Sequence, residues 1–536
     1  MFKVTTSGVV RQFFAGYSAC LLGICYGSSI GWLSPIQTFL ESNQSPVGQL
    51  TEYHIAWLAS IPYLGSIVGT FLFARISECI GRKTMLFGLG VPYLSAGLLI
   101  YFTRTFVLML MARFVIGVCI PGTLSSISLY IAEISDASIR GNLGSGVFVF
   151  CNMGVLSMFL SGAYLSYYTY NMLPIVLPGL CLTVFWFLPE SPIYYLKIDR
   201  IDESRKVLSW LKATSDDSIL DEEIEKLRSM FFEKSSTEEA ARQRRLTWRE
   251  IFTTRYYRRA FLLGIILMST NCCTGILIMN VFAYTVLAQC FNVSAPGTYT
   301  AFFSLVENCA GILALFLTHR FTRKFILVGT RLVLASSAFA IGMALLIRDL
   351  YSVSVHPYVF IVLFTVYNAS LGFGLTSIVF VILGELFSVE CRDKLLQALL
   401  LLHFSLGSVY VTAYPISVKH IHLYSWFFIF SFVTFTLTTI LIVYLPETGG
   451  KTVTEIAQEI TATKRRKNDS CLELTSAESV PPPNETTSPA SDQCGLFRGA
   501  KAYVGKALRP RDSWFDNSMY PVGLDNPGYT ITIQTG

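Results

Sequence analysis

Apolar residues fall into twelve runs separated by short polar breaks. The runs are Phe13–Leu33, Ile55–Phe73, Met85–Phe102, Val107–Ile131, Leu143–Ser166, Met172–Leu188, Ala260–Tyr284, Tyr299–Thr318, Phe325–Ile347, Pro357–Gly384, Leu395–Pro415 and Tyr424–Leu445. Each approaches or exceeds the roughly 20 mostly apolar residues that a helix needs to cross a bilayer. The pattern predicts an all-α membrane protein with twelve transmembrane helices. The first run follows Lys3 and Arg11 and has no small-residue cleavage site, so it reads as a retained signal anchor rather than a removable signal peptide.

A polar segment, Glu190–Arg255, divides the runs six and six. Its amphipathic stretches Glu203–Leu211 and Asp221–Phe232 predict short helices, and the segment is too small to hold a core of its own. The expected organisation is an N-terminal stretch 1–12, a first six-helix half 13–189, a helical linker 190–258, a second half 259–446, an end motif 447–467 and a tail 468–536. The tail is rich in Ser, Thr and Pro, which predicts disorder. A basic, partly apolar stripe from Leu496 to Arg511 leaves a membrane-surface helix open as an alternative there.

Charge sharpens this picture. Of 536 residues 52% are hydrophobic and 14% charged. Of the 76 charged residues 27 lie in Glu190–Arg255 and 21 in Pro446–Gly536, which leaves 28 for the other 379 residues. Such scarcity excludes a soluble enzyme, a nucleic-acid binder and a secreted scaffold. The net charge of +6 follows from where the basic residues sit rather than from any acidic partner. Most of the 13 cysteines fall inside apolar runs and behave there as small apolar residues, with no CxxC or Cys/His metal spacing. No Gly-x4-Gly-Lys-Ser/Thr segment is present, so neither an ATP site nor another cofactor is expected.

The basic residues set an orientation. With the N-terminus inside, Arg75, Arg82, Lys83, Arg140, Arg320, Arg323, Lys324, Arg392, Lys394 and the linker are cytosolic, against only Arg104, Arg348 and Lys419 outside. Both termini are then cytosolic. Two glycosylation patterns, Asn43-Gln44-Ser45 and Asn292-Val293-Ser294, fall in external loops, the first weakened by Pro46.

The two halves repeat one another. Arg82-Lys83 follows the second run and Arg323-Lys324 the eighth. Glu133 precedes Arg140 by seven residues, as Glu385 precedes Arg392. Pro189-Glu190-Ser191 answers Pro446-Glu447-Thr448 at the end of each half. Together with Arg113-x-x-x-Gly117, Tyr130-x-x-Glu133, Thr247-Trp248-Arg249-Glu250 and Leu383-Gly384-Glu385-Leu386-Phe387, these motifs make the stretch Phe13–Thr461 resemble the sugar porter family of the major facilitator superfamily, nearest to its insect facilitated trehalose transporters. The resemblance implies a major facilitator fold and transport of a sugar by rocking of the halves about a central site. Glu78, Arg82, Lys83, Glu133, Arg140, Glu190, Arg320, Arg323, Glu385, Arg392 and Glu447 form the expected cytosolic gating network, with pairs across the two halves holding that side shut. Departures at Ala74, Glu78, His319 and Thr322 predict that the second copy is the weaker.

At the substrate site this chain departs from the resemblance. Phe148 stands where many relatives have Gln, Asn271-Cys272 where they have Gln-Gln, and Leu277 where they have Asn. Phe380 replaces the Trp of the tenth span, whose two prolines are gone, and His403-Phe404 replaces Asn-Trp. The candidate site comprises Ser29, Phe148, Asn271, Cys272, Asn280, Glu307 and Phe380. Glu307, where relatives carry a sugar-binding Asn, is the sharpest candidate, because a carboxylate inside a membrane costs several kcal/mol. It could bind hydroxyls, carry a proton or pair with a cation. Arg113 is read as the other intramembrane charge, with a structural role, His403 as a packed interior residue, and Ser28 and Ser29 as bonded to their own backbone.

The expected function is facilitated diffusion of a trehalose- or hexose-like sugar across the plasma membrane, without enzymatic activity. Three alternatives stay open: a transporter-like nutrient sensor signalling through the tail, a non-sugar solute suited to Phe148, Leu277 and Phe380, and proton coupling through Glu307. The expected partners are the solute and the lipid bilayer, not nucleic acid, and the oligomeric state is not legible.

Overall fold

A computed structural model describes residues 6–229 and 247–462, apart from 294–295, 318–319, 353–354, 374, 389–390, 419, 450 and 452. The tail, the end of the second linker helix and the side chain of Glu78 lie outside the described residues. Residues Met1–Leu472 cluster as one compact unit.

Eleven helices among the described residues are long and apolar enough to cross a membrane, and a twelfth is shorter. In chain order the spanning elements are α1 (Thr6–Gly31), α2 (Glu52–Cys79), α3 (Arg82–Phe102), α4 (Phe106–Ile134), α5 (Ala137–Tyr164) and α6 (Leu173–Phe187) in the first half. The second half holds α7a (Arg255–Cys273), α7b (Ile276–Phe291), α8 (Gly297–Leu317), α9 (Arg323–Tyr351), α10a (Pro357–Gly372), α10b (Leu375–Leu386), α11 (Arg392–Ser417) and α12 (Leu423–Tyr444). The seventh run crosses as one span, as the sequence read it, but both it and the tenth are broken along their length. The seventh breaks because Gly275 takes φ +88°, a conformation that costs residues with a Cβ. The tenth divides near Phe373 despite the loss of both prolines.

The spans pack closely where glycine lets backbones approach, as bilayer helices without a water-driven attraction must. At the α1–α5 crossing Gly27 meets the backbone of Cys151 and Gly154, leaving no room for a Cβ on either glycine. The halves meet where α5 packs on α8 and α2 on α11. A helix Leu33–Leu40 continues past α1 and packs on α7b.

The described part of the polar linker includes two helices. Helix Ile201–Lys212 docks on the start of α1, where Arg11 donates to the Trp210 carbonyl at 2.9 Å and Lys212 pairs with Asp136 at 2.5 Å. A second helix over 217–229 is held to the first by Arg205–Asp221. The start of α7a instead holds the C-terminal helix Val453–Ala462, with Arg259 donating to the Ile460 carbonyl at 2.5 Å. Linker, end motif and the first residues of α1, α3, α7a and α9 thus share one basic face.

Candidate functional site

The basic face repeats residue for residue between the halves. In the first half Arg82, opening α3, pairs with Glu133 at the end of α4 at 3.0 Å. Glu190 accepts the backbone N–H of Lys83 at 2.9 Å and so caps α3, while Lys83 Nζ donates to the Trp186 carbonyl at 2.9 Å. In the second half Arg323, opening α9, pairs with Glu385 of α10b. Glu447 accepts the N–H groups of Arg323 and Lys324 at 3.1 and 3.2 Å, and Lys324 Nζ donates to the Ile442 carbonyl at 2.8 Å. Even Arg140 and Arg392 each reach back five residues, to the carbonyls of Ser135 and Phe387. A carboxylate at a helix N-terminus satisfies N–H groups that the helix cannot bond itself and complements its dipole. That is why the motif at the end of each half carries Glu. Arg320 is exposed.

Each of these contacts joins elements of one half. The expected pairs across the halves are not among these contacts, in which the residues at the start of α3 and α9 meet partners of their own half. The first copy is also the more buried, with side-chain exposures of 13% and 9% for Arg82 and Glu133 against 34% and 30% for Arg323 and Glu385.

At the opposite face the contacts do cross. The backbone N–H of Tyr284 on α7b donates to Ser34 Oγ at 2.9 Å, and Thr285 Oγ1 donates to Gln37 Oε1 at 2.9 Å.

Between the two faces the candidate residues divide into groups. At the break in α7, Tyr367 of α10a donates its hydroxyl to the Thr274 carbonyl at 2.7 Å, and a Cβ on Gly275 would lie 2.7 Å from that hydroxyl. Asn271, one turn before the break, is buried with its Oδ1 unpaired. Asn280 is half-buried on α7b.

Glu307 is buried on α8 and joins the halves: Asn152 Nδ2 of α5 donates to its Oε1 at 3.3 Å. Asn308 adds a second tie, donating to the Asn152 carbonyl at 3.2 Å. Asn152 was missed in the sequence, though it lies one helical turn from Phe148 on the same face of α5. Phe148 itself stacks on Phe380 of α10b, with ring centroids 5.6 Å apart and planes within 18°. The two aromatic departures thus face one another across the halves, on the basic side of the Asn152–Glu307 contact.

A cavity between the halves is lined by Ser29, Tyr63, Arg113, Leu277, His403 and their apolar neighbours. Neither Asn271 nor Asn280 lines it. Ser28 and Ser29 donate to their own helix at Cys25 and Tyr26, as expected. Arg113 donates to the carbonyls of Ser29 and Leu58 and lies 5.2 Å from the Trp32 ring, tying α1, α2 and α4 together. Cys272 Sγ lies 3.0 Å from His403 Nδ1, a polar pair joining α7a to α11. Arg331 of α9 is a third intramembrane charge, fully buried, and the sequence showed it inside the ninth run. Among the described residues no group of three or more His, Cys, Asp or Glu could hold a metal ion.

Two matching halves, each capped by its own glutamate and meeting around a broken seventh helix, are the geometry on which comparison with known proteins bears. The family model described as "Sugar (and other) transporter" matches residues 15–460. The chain belongs to this family. It is 24% identical to a facilitated trehalose transporter of Apis mellifera ligustica over 85% of this chain and 89% of that one. It is 22% identical to the Bombyx mori counterpart over 87% and 90%. The Drosophila willistoni relative is longer: this chain spans 53% of it, at 23% identity. In fold the chain is similar to the inward-open xylose transporter XylE from E. coli, with a TM-score of 0.67 and 17% identity over 83% of this chain and 99% of that one. It is also similar to the XylE proton:xylose symporter bound to 6-bromo-6-deoxy-D-glucose, with a TM-score of 0.66 and 18% identity over 84% and 99%. These likenesses place the major facilitator fold on this multi-pass membrane chain.

Proposed function

We propose that the protein carries a sugar of the trehalose or hexose class down its gradient by alternating access. The observation that carries this reading is the pair of matched halves, internally capped at the basic face, joined across the opposite face by Tyr284–Ser34 and Thr285–Gln37. Such halves can rock as rigid bodies about a site near the midplane, where the break in α7 frees backbone polar groups. The names of the curated relatives support trehalose, and the absence of a carboxylate in the first span supports uniport over coupling. In this reading the basic face is cytosolic, both ends lie inside and the protein sits in the plasma membrane. Asn43 and Asn292, both exposed, are then available for glycosylation outside. The substrate is held by Asn271, Cys272, Asn280 and Glu307 against Phe148 and Phe380, with Ser29 on the first-half side.

Glu307 supports a second reading. It is a buried carboxylate placed on the contact between the halves, so its protonation state would bear on their movement. A non-sugar solute matched to the apolar residues Phe148, Leu277 and Phe380 is the other alternative, and a sensor acting through the tail a further one.

Uptake of labelled trehalose and glucose into proteoliposomes, with and without a pH gradient, tests the proposal. Saturable uptake that ignores the gradient supports uniport, and gradient-driven uptake lost in Glu307→Gln supports coupling. No uptake of any sugar would refute sugar transport, and a panel of amphipathic metabolites would then identify the solute.

A further inference from the structure

The two buried arginines differ in their partners. Arg113 donates to two carbonyls and lies beside Trp32. Arg331 is equally buried, yet its Nε, Nη1 and Nη2 all lack a hydrogen-bond partner. A buried, unpaired charge is among the costliest arrangements in a folded protein.

Among the described residues the helices packed most closely on α9 supply no counter-charge. They are α10a, α10b and α12. Neither α10a nor α12 contains Asp or Glu, and the carboxylate of α10b, Glu385, pairs with Arg323. Arg323 lies eight residues from Arg331, about 12 Å along the helix axis.

What α12 does supply is hydroxyls. Its register on α9 is set by Ser431, which donates to the Ala335 carbonyl at 2.8 Å, and by Phe428, 5.5 Å from Phe339. The helices run antiparallel, so one turn nearer the basic face Arg331 comes level with Thr434 and Thr438. Both threonines are fully buried, and both Oγ1 atoms are unpaired. Three orphaned guanidinium nitrogens and two orphaned hydroxyls therefore lie in the same buried stretch of the α9–α12 contact.

We propose that this cluster binds a small inorganic anion of halide size, which in a cell is chloride. A guanidinium with two O–H donors suits a spherical monovalent anion, and the charge of the anion removes the cost of burying Arg331. The enclosure disfavours a lipid headgroup or a phosphate, which are larger and bring charge that the cluster does not match. The site lies between α9 and α12, away from the cavity lined by Arg113 and His403, so its occupancy and sugar binding are separate events.

Thermal unfolding of the purified full-length chain in detergent tests this, comparing sodium chloride, gluconate and phosphate at equal ionic strength. Chloride is expected to raise the midpoint saturably, by at least about 2 °C over gluconate. Arg331→Met is expected to abolish that rise while unfolding no lower than the parent in gluconate. Equal midpoints for the parent in chloride and gluconate, or a chloride shift that survives in Arg331→Met, would overturn the site. A shift in phosphate with none in chloride would overturn the halide assignment. Should Arg331→Met not fold, the Thr434→Val, Thr438→Val double variant keeps the guanidinium and is expected to raise the half-saturating chloride concentration about tenfold. An unchanged concentration there would also overturn the proposal.

Discussion

At the opposite face, Tyr284 and Thr285 reach from α7b into the other half, to Ser34 and Gln37, while at the basic face Arg82 and Arg323 each pair with a glutamate of their own half. The first kind of contact must break if the halves are to part at that rim. The second kind need not change at all when they rock. Neutral hydrogen bonds contribute about 1 kcal/mol each, so two of them suit a rim that opens repeatedly. Charged pairs and helix caps instead keep each half rigid while it moves. Repetition of sequence at the basic face therefore marks contacts that hold each half together.

The largest expected effect lies inside the first half. Arg82→Ala leaves Glu133 nine-tenths buried without its guanidinium, a loss of about 3 kcal/mol. Arg323→Ala, at the more exposed copy, is expected to cost about 1 kcal/mol or less. Thermal unfolding in detergent measures both, and equal losses would break the distinction between the copies.

Next come the contacts across the opposite face. Removing both acceptors in Ser34→Ala, Gln37→Ala is expected to shift the balance toward opening there by about tenfold or more, from roughly 2 kcal/mol of lost hydrogen bonding. The labelling rate of a cysteine placed at Tyr284 by a membrane-impermeant maleimide reports the change. A rate unchanged by the double substitution would mean that other contacts hold that rim.

A smaller effect is expected at the aromatic pair on the basic side of Glu307. A double-mutant cycle through Phe148→Ala and Phe380→Ala should give a coupling of about 0.5–1.5 kcal/mol. No coupling would mean that the stack contributes nothing beyond burial of each ring.

Much of the fold could be read from the chain, because twelve apolar runs and three motif pairs in register leave few arrangements for a membrane protein. The repeat gathered Arg82, Glu133, Glu190, Arg323, Glu385 and Glu447 into one expected network, without saying which residue meets which. What it could not convey was whether a pair closes within a half or between halves, since that depends on helix packing rather than spacing. The break at Gly275 was hidden because the run stays apolar on both sides and glycine is common in membrane helices. Glu307 stood out as a lone carboxylate, but its partner Asn152 did not, as a single Asn in an apolar run carries no pattern. Arg331 was in plain view and passed over, because charges near the ends of the ninth run were assigned to topology.

If the halves rock, one face opens as the other closes. Distances between spin labels at Gln44 and His356 on the opposite face, and at Lys197 and Arg320 on the basic face, measure it directly in proteoliposomes. Two populations are expected at each face, with a saturating transported sugar shifting the two distances in opposite directions. Distances that lengthen or shorten together, or that no sugar changes, would contradict that motion.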